Sequence, residues 1–151
     1  MKQSDQMIEM VDEIPPLIPE GEYLITYKYH ETATVFTTSK VFAYFDIVEQ
    51  GPHLGIRLYR PFRVRELIGK PRKNGRFKLG KRHELFLELC RLDERGIRLR
   101  PDRLSLHVLK NTVIRATIRT VTTDYKQRPL PKRLRYSVIG EFKGVEVGTV
   151  L

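Results

Sequence analysis

Residues 55–65 read GIRLYRPFRVR, and they decide how the chain is taken. Ile56, Leu58, Phe62 and Val64 fall on even positions, with Arg57, Tyr59, Arg63 and Arg65 on odd ones. A strand with one buried face alternates in this way, because successive side chains point to opposite sides. Pro61 cannot donate to a ladder and marks an edge or a bulge. The unusual feature is the polar face, which takes arginine almost every time.

Working outward, other segments show the same period. GEYLITYKYHE (21–31) puts Tyr23, Ile25, Tyr27 and Tyr29 on one face, and Thr26, Lys28 and His30 on the other. KVFAYFDIVEQ (40–50) has an apolar set, Val41, Ala43, Phe45 and Ile47, opposite Lys40, Phe42, Tyr44 and Asp46. ETATVFTTS between them reads as a loop or frayed extension, and QGPHLG as a turn. NTVIRATIRTVTTD (111–124) sends Ile114, Ala116 and Ile118 inward and Arg115, Thr117 and Arg119 outward. RLRYSVIGEF (133–142) sends Leu134, Tyr136, Val138 and Phe142 inward and Arg133, Arg135 and Ser137 outward.

One segment changes period. HELFLELCRLDERG (83–96) repeats Leu85, Leu89 and Leu92 at helical spacing, with Phe86 and Cys90 on the apolar side and Gly96 as a C-cap. ELIGKPRKNGRFKLGKR before it reads as a basic linker with a turn at Asn74-Gly75. RPDRLSLHVLKN after it has room for a short helical turn. The order is three strands, a helix and two strands. It predicts a mainly β fold: a five-stranded OB-type Greek-key barrel with its one helix between strands three and four. Other small α+β layouts share that order.

The expected division is an acidic lead (1–18) ending in prolines, a domain (19–143) and a short tail (144–151). Among 151 residues, 28 are basic and 18 acidic; residues 1–22 hold one of the former and six of the latter, leaving 27 against 12. A basic body behind an acidic lead suits a polyanionic partner, with nucleic acid the commonest. The lead itself reads as an interaction arm, a shield for the basic surface or plain disorder. A single cysteine leaves no internal disulfide and fits a reducing compartment, so the expected location is cytoplasmic. No apolar run reaches membrane-spanning length, and no secretory leader is read at the N-terminus.

The outward arginines recur on three strands, and strand two adds Phe42 and Tyr44. Arginine neutralises phosphate, and an exposed ring stacks an unpaired base. The expected nucleic-acid-binding residues are Phe36, Phe42, Tyr44, Arg57, Tyr59, Arg63, Arg65, Lys73, Arg76, Arg115, Arg119, Lys126, Arg128, Lys132, Arg133 and Arg135. Solvated strand and loop positions with no ligand are the plainer reading of each one alone.

From Pro19-Glu20-Gly21-Glu22-Tyr23, through YFDIVEQGPHLGIRLYR and LKNTVIRATIRT, to RYSVIGEF, the chain resembles phage-type single-stranded DNA-binding proteins with an OB-fold. The resemblance implies sequence-tolerant binding of single-stranded DNA in phage or mobile-element replication and recombination, with proteins of those processes as partners. The acidic segment departs from a common pattern among single-strand binders by standing first.

Neither a cofactor nor a metal site is expected, since the four histidines and Cys90 show no ligand spacing. No catalytic residue is assigned. The enzymatic alternative is a metal-dependent nuclease using Glu141-Phe142-Lys143 with Asp124 or Asp46. An RNA-binding OB module is the other alternative, since nothing in the sequence separates the two nucleic acids. The oligomeric state is left open, a dimer included.

Overall fold

A computed structural model describes residues 15–92 and 106–150. Five strands form one antiparallel sheet: β1 (Gly21–Val35), β2 (Thr38–Ile47), β3 (Arg57–Arg63), β6 (Thr112–Val121) and β7 (Tyr136–Val150), in the spatial order β3-β2-β1-β6-β7. A two-stranded ribbon, β4 (Glu66–Ile68) with β5 (Arg76–Lys78), is followed by one α-helix, α1 (Glu84–Leu92). The fold is therefore mainly β, as expected. No helix among the described residues is long and apolar enough to cross a membrane. The acidic segment 1–14 and the expected C-cap at Gly96 lie outside the described residues.

The alternation of β2 and β3 holds. Val41, Ala43, Phe45, Ile47, Leu58 and Phe62 are buried, and Val64 just past β3 joins them. They share one core with Ile114, Ala116 and Ile118 of β6, Ile139 and Phe142 of β7, and Leu85, Leu89 and Leu92 of α1. The Phe142 ring meets Phe45 at 5.5 Å and Phe62 at 6.3 Å, so the sheet curls until its edge strands β3 and β7 face each other through the core. Each fully buried ring or branched chain contributes roughly 1.5–3 kcal/mol relative to exposure.

The even row of β3 also contains Arg60, which is only 5% exposed. Its guanidinium donates to Glu88 at 2.5 Å and to Glu84 at 2.8 Å, and lies 4.4 Å from the Phe62 ring centre. Glu88, 1% exposed, also accepts from the Phe142 backbone N–H at 2.8 Å. One buried carboxylate thus ties β3 to α1 and α1 to β7. Burying both ions is costly, so the pair fixes the helix's place more than it stabilises the fold.

Several expectations change. ETATVFTTS is not a loop: β1 runs to Val35, pairs with Thr38, and turns on Phe36 and Thr37 at φ 49° and 67°. Both central residues at positive φ make a hairpin turn of a kind that normally takes Asn and Gly. The basic linker is instead the β4–β5 ribbon, pinned to β1. Thr32 N–H donates to Arg72 O (3.0 Å), Arg72 N–H to the Thr32 hydroxyl (3.0 Å), Asn74 N–H to His30 O (2.6 Å) and His30 N–H to the Asn74 side chain (3.2 Å). Gly75 is required there, since a Cβ would sit 2.4 Å from Thr32 Oγ1.

In the last strand, Lys132–Leu134 is a 3-10 turn, so Arg133 and Arg135 precede β7 and Leu134 is exposed. The ladder slips between Ala116↔Phe142 and Ile118↔Ile139, and this bulge brings Ile139 into the core beside Phe142, with Val138 buried as expected. Ser137 is buried, not outward: its hydroxyl accepts from Ile18 N–H at 2.8 Å, and its N–H donates to Pro16 O at 2.9 Å. Residues 15–18, assigned to the lead, are therefore laid along β7. Residues 144–150, assigned to the tail, continue β7 against β6. Cys90 is exposed rather than packed.

Candidate nucleic-acid interface

The outward face of the β2–β3 pair is a ladder of four rungs: Lys40↔Arg63, Phe42↔Pro61, Tyr44↔Tyr59 and Asp46↔Arg57. Alternation puts all eight on one side. Tyr59 is the hub, with ring centres 5.5 Å from Phe42, 5.7 Å from Tyr44 and 6.4 Å from Tyr136, all edge-on. Burial, with Tyr136 beside it, raises the Tyr59 hydroxyl well above its ordinary value, so the ring stays neutral.

Tyr44 stacks on Tyr29 of β1 at 4.6 Å and 12°. Tyr29 was expected on the opposite face with Tyr23, Ile25 and Tyr27. A bulge between Tyr27 and Tyr29 leaves Lys28 unpaired, turns Tyr29 outward and His30 inward. No composition signal marks that bulge. Tyr136, expected inward, likewise belongs to the outward aromatic row. Four strands, β1, β2, β3 and β7, thus supply one continuous set of rings.

Cations border this set. Lys73 of the β4–β5 ribbon places its ammonium 4.6 Å from the Tyr29 ring centre, and Arg57 its guanidinium 5.3 Å from the same ring. Arg57 also pairs with Asp46 at 2.7 Å. The position of Lys73 depends on buried His30, whose Nε2 donates to Gly75 O (2.7 Å) while Nδ1 accepts from the Tyr27 hydroxyl (2.8 Å). Burial lowers the His30 pKa and pushes the Tyr27 hydroxyl up to about 12, which keeps both neutral.

A second aromatic contact lies at the loops. Phe36, at the tip of the β1–β2 hairpin and 73% exposed, meets Tyr125 of the β6–β7 connection, 67% exposed, at 5.2 Å. Positive φ at both turn residues is strained for side chains of this kind, at roughly 1–2 kcal/mol per residue. Lys126 lies 5.5 Å from the Tyr125 ring. This connection is folded on Asp124, whose carboxylate accepts from the N–H groups of Arg128 (3.0 Å) and Lys126 (2.8 Å) and from Arg128 Nε (2.9 Å). Those bonds, the Arg128 backbone first, hold its pKa below the ordinary carboxylate value.

The remaining expected residues disperse. Arg63 stands opposite Lys40, Arg65 leads into the ribbon, and Arg76 is exposed on it. Lys132 and Arg133 are exposed on the 3-10 turn, and Arg135 donates to Leu130 O at 3.3 Å. Arg115 lies between Leu24 and Gly144 and pairs with Glu146 at 3.0 Å. Arg119 lines a groove of about 470 Å³ with Arg60, Thr117, Glu84 and Glu141. Arg119 thus shares a groove with Arg60 and Pro61 of β3, whereas Arg115 is held by Glu146. Of the carboxylates weighed for a nuclease, Asp46 pairs with Arg57, Asp124 folds its own loop and Glu141 pairs with Lys143 at 3.2 Å. Among the described residues, no three acidic, His or Cys side chains gather as a metal site.

Compared with protein-family models, curated proteins and solved structures, the chain matches none.

Proposed function

We propose that the chain is an OB-type single-stranded DNA-binding protein that works without catalysis or cofactor, its bases received on the outward face of β2–β3. The observation that carries this reading is the aromatic row Tyr29–Tyr44–Tyr59–Tyr136 with Phe42, bordered by Lys73 and Arg57. Rings at a surface accept any unstacked base at about 1–3 kcal/mol each, whereas a duplex keeps its base faces hidden. Lys73 beside them neutralises phosphate, while Arg57 is held by Asp46.

The OB-type reading is supported by strand order. Numbering the five sheet strands along the chain gives 3-2-1-4-5, with the two ends in ring contact between Tyr59 and Tyr136. Oligonucleotides lie on strands two and three of an OB-fold, between the loops joining strands one to two and four to five. Here those loops carry Phe36 and Tyr125. Support of DNA replication or recombination in a phage or mobile element, in the cytoplasm and beside proteins of those processes, is the setting that goes with this function.

The test is fluorescence anisotropy with a labelled oligo-dT, its duplex and the matching RNA across a salt series. The reading expects preference for the single strand and a logarithmic salt slope near −0.7 for each phosphate neutralised. Equal or tighter binding to duplex would contradict it. Tighter binding to RNA would move the same face to the RNA-binding class.

A further inference from the structure

The first rung of the β2–β3 ladder differs from the last. Lys40 and Arg63 are direct cross-strand partners on the outward face. Like charges placed directly opposite one another destabilise a sheet. At the far end, the same two strands put Asp46 against Arg57 and close an ion pair. At Lys40–Arg63 there is no such answer: the β1 residue beside Lys40 is Ala33, and Glu31 stands one rung on, opposite Phe42. Among the described residues neither cation has an ion-pair partner, while Arg57, Arg115 and Arg128 all do. An open groove of about 360 Å³ lies here, lined by Thr38, Lys40, Pro61, Phe62 and Arg63. Pro61 brings no N–H, so the side-chain cations are what the groove offers an anion.

We propose that Lys40 and Arg63 form a phosphate seat, and that the repulsion between them is relieved when the seat is filled. Lys40 is not among the binding residues expected from sequence. The inference rests on the single-strand reading and gives it a location. The seat lies two residues of strand, about 6.8 Å, from the Phe42 rung, and about twice that from the Tyr44–Tyr59 rung. A phosphate held there leaves the adjoining nucleotides within reach of those rings.

The test compares the wild type with Lys40→Gln/Arg63→Gln. Without nucleic acid, the variant's Tm should exceed the wild type's by a few degrees at low salt, with the gain fading at 1 M salt as screening removes the repulsion. Pyrophosphate at millimolar concentration should raise the Tm of the wild type and leave that of the variant unmoved. Oligo-dT affinity at 50 mM salt should fall at least tenfold, with a salt slope shallower by about 1.4, the share of two single-strand contacts. Retention of either the full slope or the pyrophosphate response overturns the seat. A wild type that ignores oligo-dT but answers to pyrophosphate, with the answer lost in the variant, keeps the seat and retires the single-strand reading. No pyrophosphate response in the wild type retires the seat by itself.

Discussion

The outward rows of β3 and of β6 look alike in sequence, each carrying two arginines, Arg57 and Arg63 on one and Arg115 and Arg119 on the other. In the folded chain they differ in what surrounds the charge. Arg115 is neutralised by Glu146, whereas Arg119 has no ion pair among the described residues and shares its groove with Glu84 and Glu141, which pair with Arg60 and Lys143. On β2–β3 the charge is interleaved with Phe42, Tyr44 and Tyr59, and one rung holds two cations and no acid. Arginine count does not distinguish a binding surface from a balanced one. What sets the Lys40–Arg63 rung apart from Arg57 and Arg115 is that its cations have no anion among the described residues.

The largest effect comes from cutting what joins the two regions. Arg60→Ala removes the buried cation of Glu88 and leaves it only the exposed Arg91, 3.0 Å away, so denaturant unfolding should show a loss of up to about 3–5 kcal/mol. If urea midpoints barely move, Arg60 does not hold α1 between β3 and β7. Next is the hub. Tyr59→Ala should cost about 1–3 kcal/mol of oligo-dT binding with an unchanged salt slope, while a thermal melt checks that the fold survives.

The comparison is sharpened by a variant expected to do little. Arg115→Gln should change oligo-dT affinity less than twofold and leave the slope alone, because Glu146 already occupies that charge. A slope as altered as that of the Lys40/Arg63 variant would place β6–β7 inside the interface. The smallest effect concerns pH. Burial depresses the His30 pKa below its model-peptide value of 6.5, so neutral His30 contributes stability above pH 6.5 that is lost as pH falls through the folded value. Melting between pH 7.5 and 5 should show that loss in the wild type and less of it in His30→Gln. Equal pH profiles would remove His30 as the anchor of the Lys73 ribbon.

Much of this was legible in residues 40–65, where strict alternation names both faces of β2 and β3 correctly. The core face of β6 and the leucines of α1 followed from the same period arguments. The failures share a cause. A bulge adds one residue without any compositional mark, and it inverted Tyr29 on β1 and brought Ile139 into the core on β7. The Phe36-Thr37 turn was missed because neither residue belongs to the usual chemistry of a two-residue hairpin. Arg60 sits on the inward parity of its strand, and its partner acids, exposed Glu84 and buried Glu88, come from a helix 24 and 28 residues away, a pairing no local pattern reveals. The exposed pair Phe36–Tyr125 had only half a signal: each aromatic stands in a polar loop, but their contact is tertiary.

The account turns on whether unstacked bases meet the rings around Tyr59. The most direct measurement is the ratio of affinities for a single-stranded oligonucleotide and its duplex at fixed salt, in the wild type and in Tyr59→Ala. The account predicts a single-strand preference of at least tenfold in the wild type, most of which disappears in the variant while the salt slope stays the same. A wild type with no preference, or a preference untouched by the loss of Tyr59, would contradict it.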